Sequence, residues 1–162
     1  LNENDIGDFK TFLKLSPPLR TETDRNALVQ GLNDETIDVI VSDHKPEDEE
    51  NKRLTFAQAE TGASGIETLL PLSLELYHNG SVALETIIKA LTSKPAEILK
   101  INKGNLSTGN DADFCIVDIN KPWVVRKEKL ISKSKNTPIE DKKLQGKVIS
   151  TFVNGEELFK SE

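Results

Sequence analysis

Asp43 stands first among the residues able to do chemistry. It follows Ile37-Asp38-Val39-Ile40-Val41-Ser42, a β-branched and almost continuously apolar segment. Such a segment reads as a strand buried on both faces, as in a parallel sheet. In a parallel α/β barrel, catalytic groups project from the C-terminal strand ends. A carboxylate there can ligate a metal or move a proton; a Ser-Asp-His after a strand equally suits a plain turn cap. His44 and His78 are the only histidines, and their separation fits no short metal motif. His78, beside Asn79-Gly80, reads as an exposed helix end, and His44 points away from Asp43 if the strand continues. Residue types and spacing thus offer one carboxylate and no whole site.

Other segments carry weaker signals. Thr61-Gly62-Ala63-Ser64-Gly65 is small, flexible and leads into a helix, so its amides can approach an anion; a helix lead-in needs the same residues. Glu47-Asp48-Glu49-Glu50 can bind a hard cation or simply form a solvated acidic loop. Cys115, among apolar neighbours, reads as a packed thiol, and Trp123 after Pro122 as packing. The basic stretch 127–143 reads as an exposed connection.

The elements that must position these residues follow from pattern. Residues 12–16 form a short strand candidate stopped by Pro17-Pro18. Thr21, with Asp24 three residues on, predicts a helix start, and Asn33-Asp34 ends that helix. A leucine-rich helix is expected over 65–77, stopped by Asn79-Gly80. Leu84, Ile87, Ile88 and Leu91 form a clean helical stripe, and Ser93-Lys94-Pro95 opens one more helix through Leu99. From Gly104 the pattern turns to strands at 113–118, 123–125 and 148–153. Asn154-Gly155 is a strong hairpin signal, with 157–159 returning. Strand–helix–strand–helices followed by antiparallel strands suggests the end of an α/β barrel and then a small β domain.

Composition narrows the class. The 162 residues contain 21 Lys and Arg against 27 Asp and Glu, a net charge of -6 that argues against nucleic acid as a partner. No apolar run reaches the ~18 residues of a membrane helix, and no signal segment is visible, so a cytoplasmic location is expected. One cysteine excludes an internal disulfide or a thiolate zinc cluster. There is no methionine, from which a processed product, a trimmed chain or a piece of something longer is expected.

Several motifs together resemble dihydroorotase, of the amidohydrolase superfamily. Lys14-Leu15-Ser16-Pro17-Pro18-Leu19-Arg20 is similar to its Pro-Pro-Leu-Arg segment. Thr36 through Ser42 and Asp43-His44-Lys45-Pro46 resemble its eighth barrel strand and the aspartate ending it. Lys135-Asn136-Thr137-Pro138 resembles a late signature, and Gly104 to Gly109 with Ala112-Asp113 and Asp118 a more general superfamily mark. The resemblance implies an α/β fold: the C-terminal fragment of a TIM-type (β/α)8 barrel, its last two strands and helices at 1–102, followed by a small antiparallel β domain at 103–162. A whole barrel takes roughly 250 residues.

It further implies a zinc-dependent, pyrimidine-pathway enzyme that reversibly opens dihydroorotate to N-carbamoyl-L-aspartate. Asp43 would be a metal ligand and the catalytic proton carrier; the remaining ligands would lie upstream. The chain alone is therefore expected to be inactive. It departs from the family at two positions: Ser16 stands where many members have asparagine, and Glu47 where many have a histidine that grips the substrate. An ionised Glu47 would repel an anionic substrate, so residues 47–50 are expected to swing outward, leaving Thr61 and Gly62 to contact substrate through their backbone. Alternatives are a weak or inactive subunit that partners aspartate transcarbamoylase, or an allantoinase- or hydantoinase-like hydrolase. Unclosed barrel strands and helix faces predict self-association.

Overall fold

Backbone hydrogen bonding gathers the chain into helices and one small sheet. The computed structural model describes residues 1–161. These fall into two units interleaved along the chain: residues 1–31, 42–69 and 124–143 make the first, and residues 32–41, 70–123 and 144 onward the second.

In the first unit, 3-10 turns at Glu3–Ile6 and Thr11–Leu13 precede the Ser16-Pro17 cis bond. The expected strand at 12–16 does not form. The Lys14 carbonyl accepts from the Gly62 N–H at 3.1 Å rather than joining a ladder. Helix α1 (Glu22–Asn33) starts as its sequence predicts. The Thr21 hydroxyl accepts the Asp24 N–H at 3.1 Å, and the Asp24 carboxylate accepts the Thr21 N–H at 3.1 Å. That reciprocal pair satisfies donors a helix start leaves open. Helix α2 (Glu49–Lys52) is a single turn capped by Asp48.

The basic stretch is not merely an exposed connection: Leu130, Asn136, Thr137 and Ile139 are buried within it. Lys129, Lys133 and Lys143 stay exposed while these four residues between them turn inward. Composition, dominated by the lysines, hides that alternation. The Val125 N–H donates to Lys142 O at 2.9 Å and closes the base of the loop.

The second unit holds α3 (Leu69–His78), α4 (Leu84–Leu91) and α5 (Ser93–Leu99). Leu74 and Ile87 are fully buried, with Leu32, Val82, Ala90 and Ala96 nearly so. Ile88, expected on the buried stripe of α4, lies on its margin and is exposed. Residues 37–41 are extended without belonging to a ladder. The Ile40 N–H donates to Ala90 O at 3.1 Å, and Val41 is exposed. A parallel strand needs a neighbouring strand to share its ladder, and among the described residues 37–41 have none.

The sheet has the order β1-β2-β3, from β1 (Phe114–Val124), β2 (Lys143–Val153) and β3 (Glu156–Lys160). β1 is one continuous strand where two were expected; as an edge strand it tolerates Pro122, which lacks an N–H. Cys115 is exposed on it rather than packed. β2 and β3 are antiparallel, pairing Val153 with Glu156. Asn154 at φ 52° and Gly155 at φ 80° form the expected tight turn. Phe114 stacks on Phe152 at 4.6 Å, and the Trp123 indole donates to Gly146 O at 3.0 Å. Among the described residues, no helix is long and apolar enough to cross a membrane.

Candidate functional site

Asp43 sits at φ 40°, in the left-handed region that residues with a Cβ seldom enter. Such conformations cost energy and cluster at functional sites. Its carboxylate is exposed and makes no hydrogen bond or ion pair among the described residues. A free carboxylate held by a constrained backbone is available for a ligand or a proton.

The segment beside it, residues 61–66, is pinned at several points. Gly65 lies so close to Ser42 that a Cβ there would stand 2.8 Å from the Ser42 carbonyl. Gly62 has φ 134°, and a Cβ would meet the Lys45 carbonyl at 2.6 Å. The Lys45 N–H donates to Ala63 O at 3.1 Å. His44 Nδ1 accepts from the Gly65 N–H at 3.1 Å and the Ile66 N–H at 3.4 Å. Those amides, expected as an anion site or a helix lead-in, are already occupied. The helix starts at Leu69 rather than at residue 65.

Asn136, within the late signature, ties these pieces together and is fully buried. Its Oδ1 accepts from the Glu47 N–H at 3.2 Å, the Ser134 hydroxyl at 2.8 Å and the Ser64 hydroxyl at 3.1 Å. Its Nδ2 donates to Gly62 O at 3.3 Å. Glu67 fixes the approach to this segment: its carboxylate accepts the Ile131 N–H at 2.9 Å and the Ser132 N–H at 3.0 Å.

Glu47 does not swing outward. Its side chain is 17% exposed and lies 3.4 Å from the Lys45 ammonium, while its carbonyl accepts the Ser134 hydroxyl. Lys45 compensates the charge, so repulsion does not expel the carboxylate. Thr61 is half-buried, its carbonyl accepting from Lys45 Nζ at 2.8 Å. The Gly62 N–H and carbonyl both have partners within the chain, so a substrate contact there must displace one. Ser16 is exposed. Lys52 is fully buried, its ammonium donating to Glu60 O at 2.7 Å, Gly62 O at 3.0 Å and Lys14 O at 3.1 Å. Burial pushes its pKa down, against the favourable field of Glu47.

A zinc centre needs about four donors. Among the described residues, no three His, Cys, Asp or Glu groups gather to hold a metal ion. His44 Nδ1 is engaged by amides, and His78 Nε2 lies 3.0 Å from Ile119 O. Among the described residues there is no complete zinc site; Asp43, an exposed carboxylate without a partner there, has the chemistry of one ligand.

Lys52 and Asn136 escaped the sequence reading as site residues. Lys52 ends an acidic run where a solvated lysine is the ordinary expectation, and no local signal marks it as buried. For Asn136 the signature itself was the signal, although motif resemblance assigns no bonding partners.

The model for the amidohydrolase family matches residues 13–158. Over 162 residues, the chain is 43% identical to the dihydroorotase of Anaplasma phagocytophilum (strain HZ) and covers 100% of itself and 36% of that protein. For the dihydroorotase of Ehrlichia chaffeensis (strain ATCC CRL-10679 / Arkansas), identity is 44% with the same coverage. The L-hydantoinase (dihydropyrimidinase) from Arthrobacter aurescens superposes with a TM-score of 0.90 at 30% identity, covering 99% of this chain and 37% of that one. The chain therefore spans little more than a third of the length of these relatives.

Proposed function

We propose, from the premise that this chain belongs to the amidohydrolase family, that it is the C-terminal part of a dihydroorotase. The observation that carries the reading is 43% and 44% identity along the whole chain to proteins named dihydroorotase, against 30% to a hydantoinase of the same fold. In this reading residues 1–102 complete a (β/α)8 barrel and residues 103–162 belong to a flanking β domain. The parent is a cytoplasmic enzyme of pyrimidine biosynthesis that acts on a small molecule and self-associates.

The reaction adds water across the ring amide of dihydroorotate. The carbonyl carbon gains oxygen, the carbon–nitrogen bond breaks, and the nitrogen takes a proton, giving N-carbamoyl-L-aspartate. Zinc held by Asp43 together with upstream residues would supply a water that is nucleophilic near neutral pH and a polarised carbonyl. Asp43 contributes one ligand and accepts the proton of the attacking water, then returns it to the leaving nitrogen. Its unpartnered carboxylate suits both tasks. Ser16, Glu47, Thr61 and Gly62 border the substrate, with the Glu47 charge offset by Lys45.

The test is interconversion of dihydroorotate and carbamoyl aspartate by the zinc-loaded parent, its Asp43→Asn variant and the isolated chain. The parent should turn over, the variant should lose at least ~100-fold in kcat, and the isolated chain should be silent. Near-normal turnover by Asp43→Asn ends the catalytic assignment; turnover by the isolated chain ends the assignment of the other ligands to upstream residues.

A further inference from the structure

Lys52 is a cation with 0% exposure that makes no ion pair of 4.0 Å or less among the described residues. A buried charge of this kind is costly unless its protons are all used. Here they are: three protons meet three carbonyls, those of Glu60 at 2.7 Å, Gly62 at 3.0 Å and Lys14 at 3.1 Å. Hydrogen bonds from an ionised donor are roughly twice as strong as neutral ones. The acceptors come from two places: Lys14 is two residues before Ser16, while Glu60 and Gly62 flank Thr61. The Lys14 carbonyl also accepts the Gly62 N–H, so the two strips of chain meet at this ammonium.

We propose that Lys52 is a positioning residue, its ammonium setting the distance between the Ser16 strip and the Thr61-Gly62 strip so that both face one substrate. This rests on the functional reading above. An apolar side chain of similar length would fill the volume but leave the Glu60 carbonyl without this donor, and the Lys14 carbonyl with the Gly62 N–H alone, so the spacing of the two strips would be less tightly fixed. The metal would be untouched, because Asp43 takes no part in the arrangement.

The experiment uses the zinc-loaded parent and its Lys52→Met and Lys52→Arg variants. It measures zinc content, kcat, KM for dihydroorotate, and carbamoyl aspartate affinity by calorimetry. Lys52→Met should weaken carbamoyl aspartate binding and raise KM by roughly tenfold or more. Its zinc content should not change, and kcat should stay within about threefold, as expected when ground-state and transition-state binding are lost together. Lys52→Arg, which keeps a cation with N–H donors, should recover part of the affinity. Equal affinity in wild type and Lys52→Met overturns the proposal, as does loss of zinc in step with affinity.

If Lys52→Met does not fold, wild-type affinity against pH decides. A neutral amine donates two bonds rather than three, so affinity should fall at a pH below the ordinary lysine range. Burial drives that lowering, with Lys14 and Lys45 adding to it and Glu47 and Glu60 opposing it. A flat profile overturns the proposal. If the wild type neither turns over dihydroorotate nor binds carbamoyl aspartate, the functional reading falls and this proposal with it; if wild type binds and Lys52→Met binds equally, only the Lys52 proposal falls.

Discussion

Replacing Asn136 by alanine removes four side-chain hydrogen bonds, yet the structure predicts a cost set by only one. The Ser64 hydroxyl can turn to the Ser134 carbonyl, 3.0 Å away. The Ser134 hydroxyl already reaches the Glu47 carbonyl. Gly62 O keeps the Lys52 ammonium at 3.0 Å. The Glu47 N–H alone loses the only acceptor it has. One such donor left unpaired costs about 1–3 kcal/mol, so openings that expose it should become roughly 5–150-fold more frequent. Amide hydrogen exchange, read by mass spectrometry on peptides covering residues 44–48, measures this directly. Helix α4, in the other unit, serves as the internal reference. Unchanged exchange at 44–48 would refute the reasoning, and so would an equal rise in α4, which would mean global destabilisation rather than a released clamp.

Two other substitutions probe charge. Glu47→Gln removes the carboxylate beside Lys45, but Lys45 retains Thr61 O at 2.8 Å, so KM for dihydroorotate in the parent should move by less than about threefold; a tenfold fall would mean that Lys45 does not offset the Glu47 charge toward the substrate. Glu22, hydrogen-bonded first by Arg25 and then by Asn2, has its pKa lowered from 4.5 to about 2. Because the folded value lies below the unfolded one, its contribution to stability is present above the unfolded pKa and fades as pH falls through the folded pKa. Carboxyl NMR should show Glu22 titrating well below the usual carboxylate range, and Glu22→Gln should flatten unfolding stability across that acid window. An ordinary pKa for Glu22 would mean the Arg25 contact is absent in solution.

Features encoded locally were legible before the structure. The Asn154-Gly155 turn follows from two residues that tolerate positive φ, and the start of α1 from Thr21 and Asp24 three positions apart. Asp43 was conspicuous because an apolar run ended at a carboxylate. What was misread depended on distant partners. Residues 37–42 carry strand composition, but a ladder requires neighbours that composition does not supply. The His44 ring takes two amides more than twenty residues away, a pairing that no local pattern announces. Glu47 looked like a repulsive charge until Lys45 lay beside it. Asn136 and Lys52 are polar residues whose burial is set by carbonyls and hydroxyls elsewhere, and periodicity has no signal for that.

The clamp between Asn136 and Glu47 also sets an order of events at birth. The two residues are separated by 89 positions, so closing that contact means ordering a long loop, a cost that slows folding. Synthesis at roughly 5–20 residues per second puts about 5–18 s between the appearance of Glu47 and that of Asn136. Throughout that interval the Asp43 segment has emerged without its anchor. The hairpin of β2 and β3 and the helix pair α4 and α5 need only near neighbours and can form as soon as they emerge. The piece that carries the carboxylate therefore becomes rigid later than α4 and α5, and a nascent chain stalled before residue 136 would hold it loose.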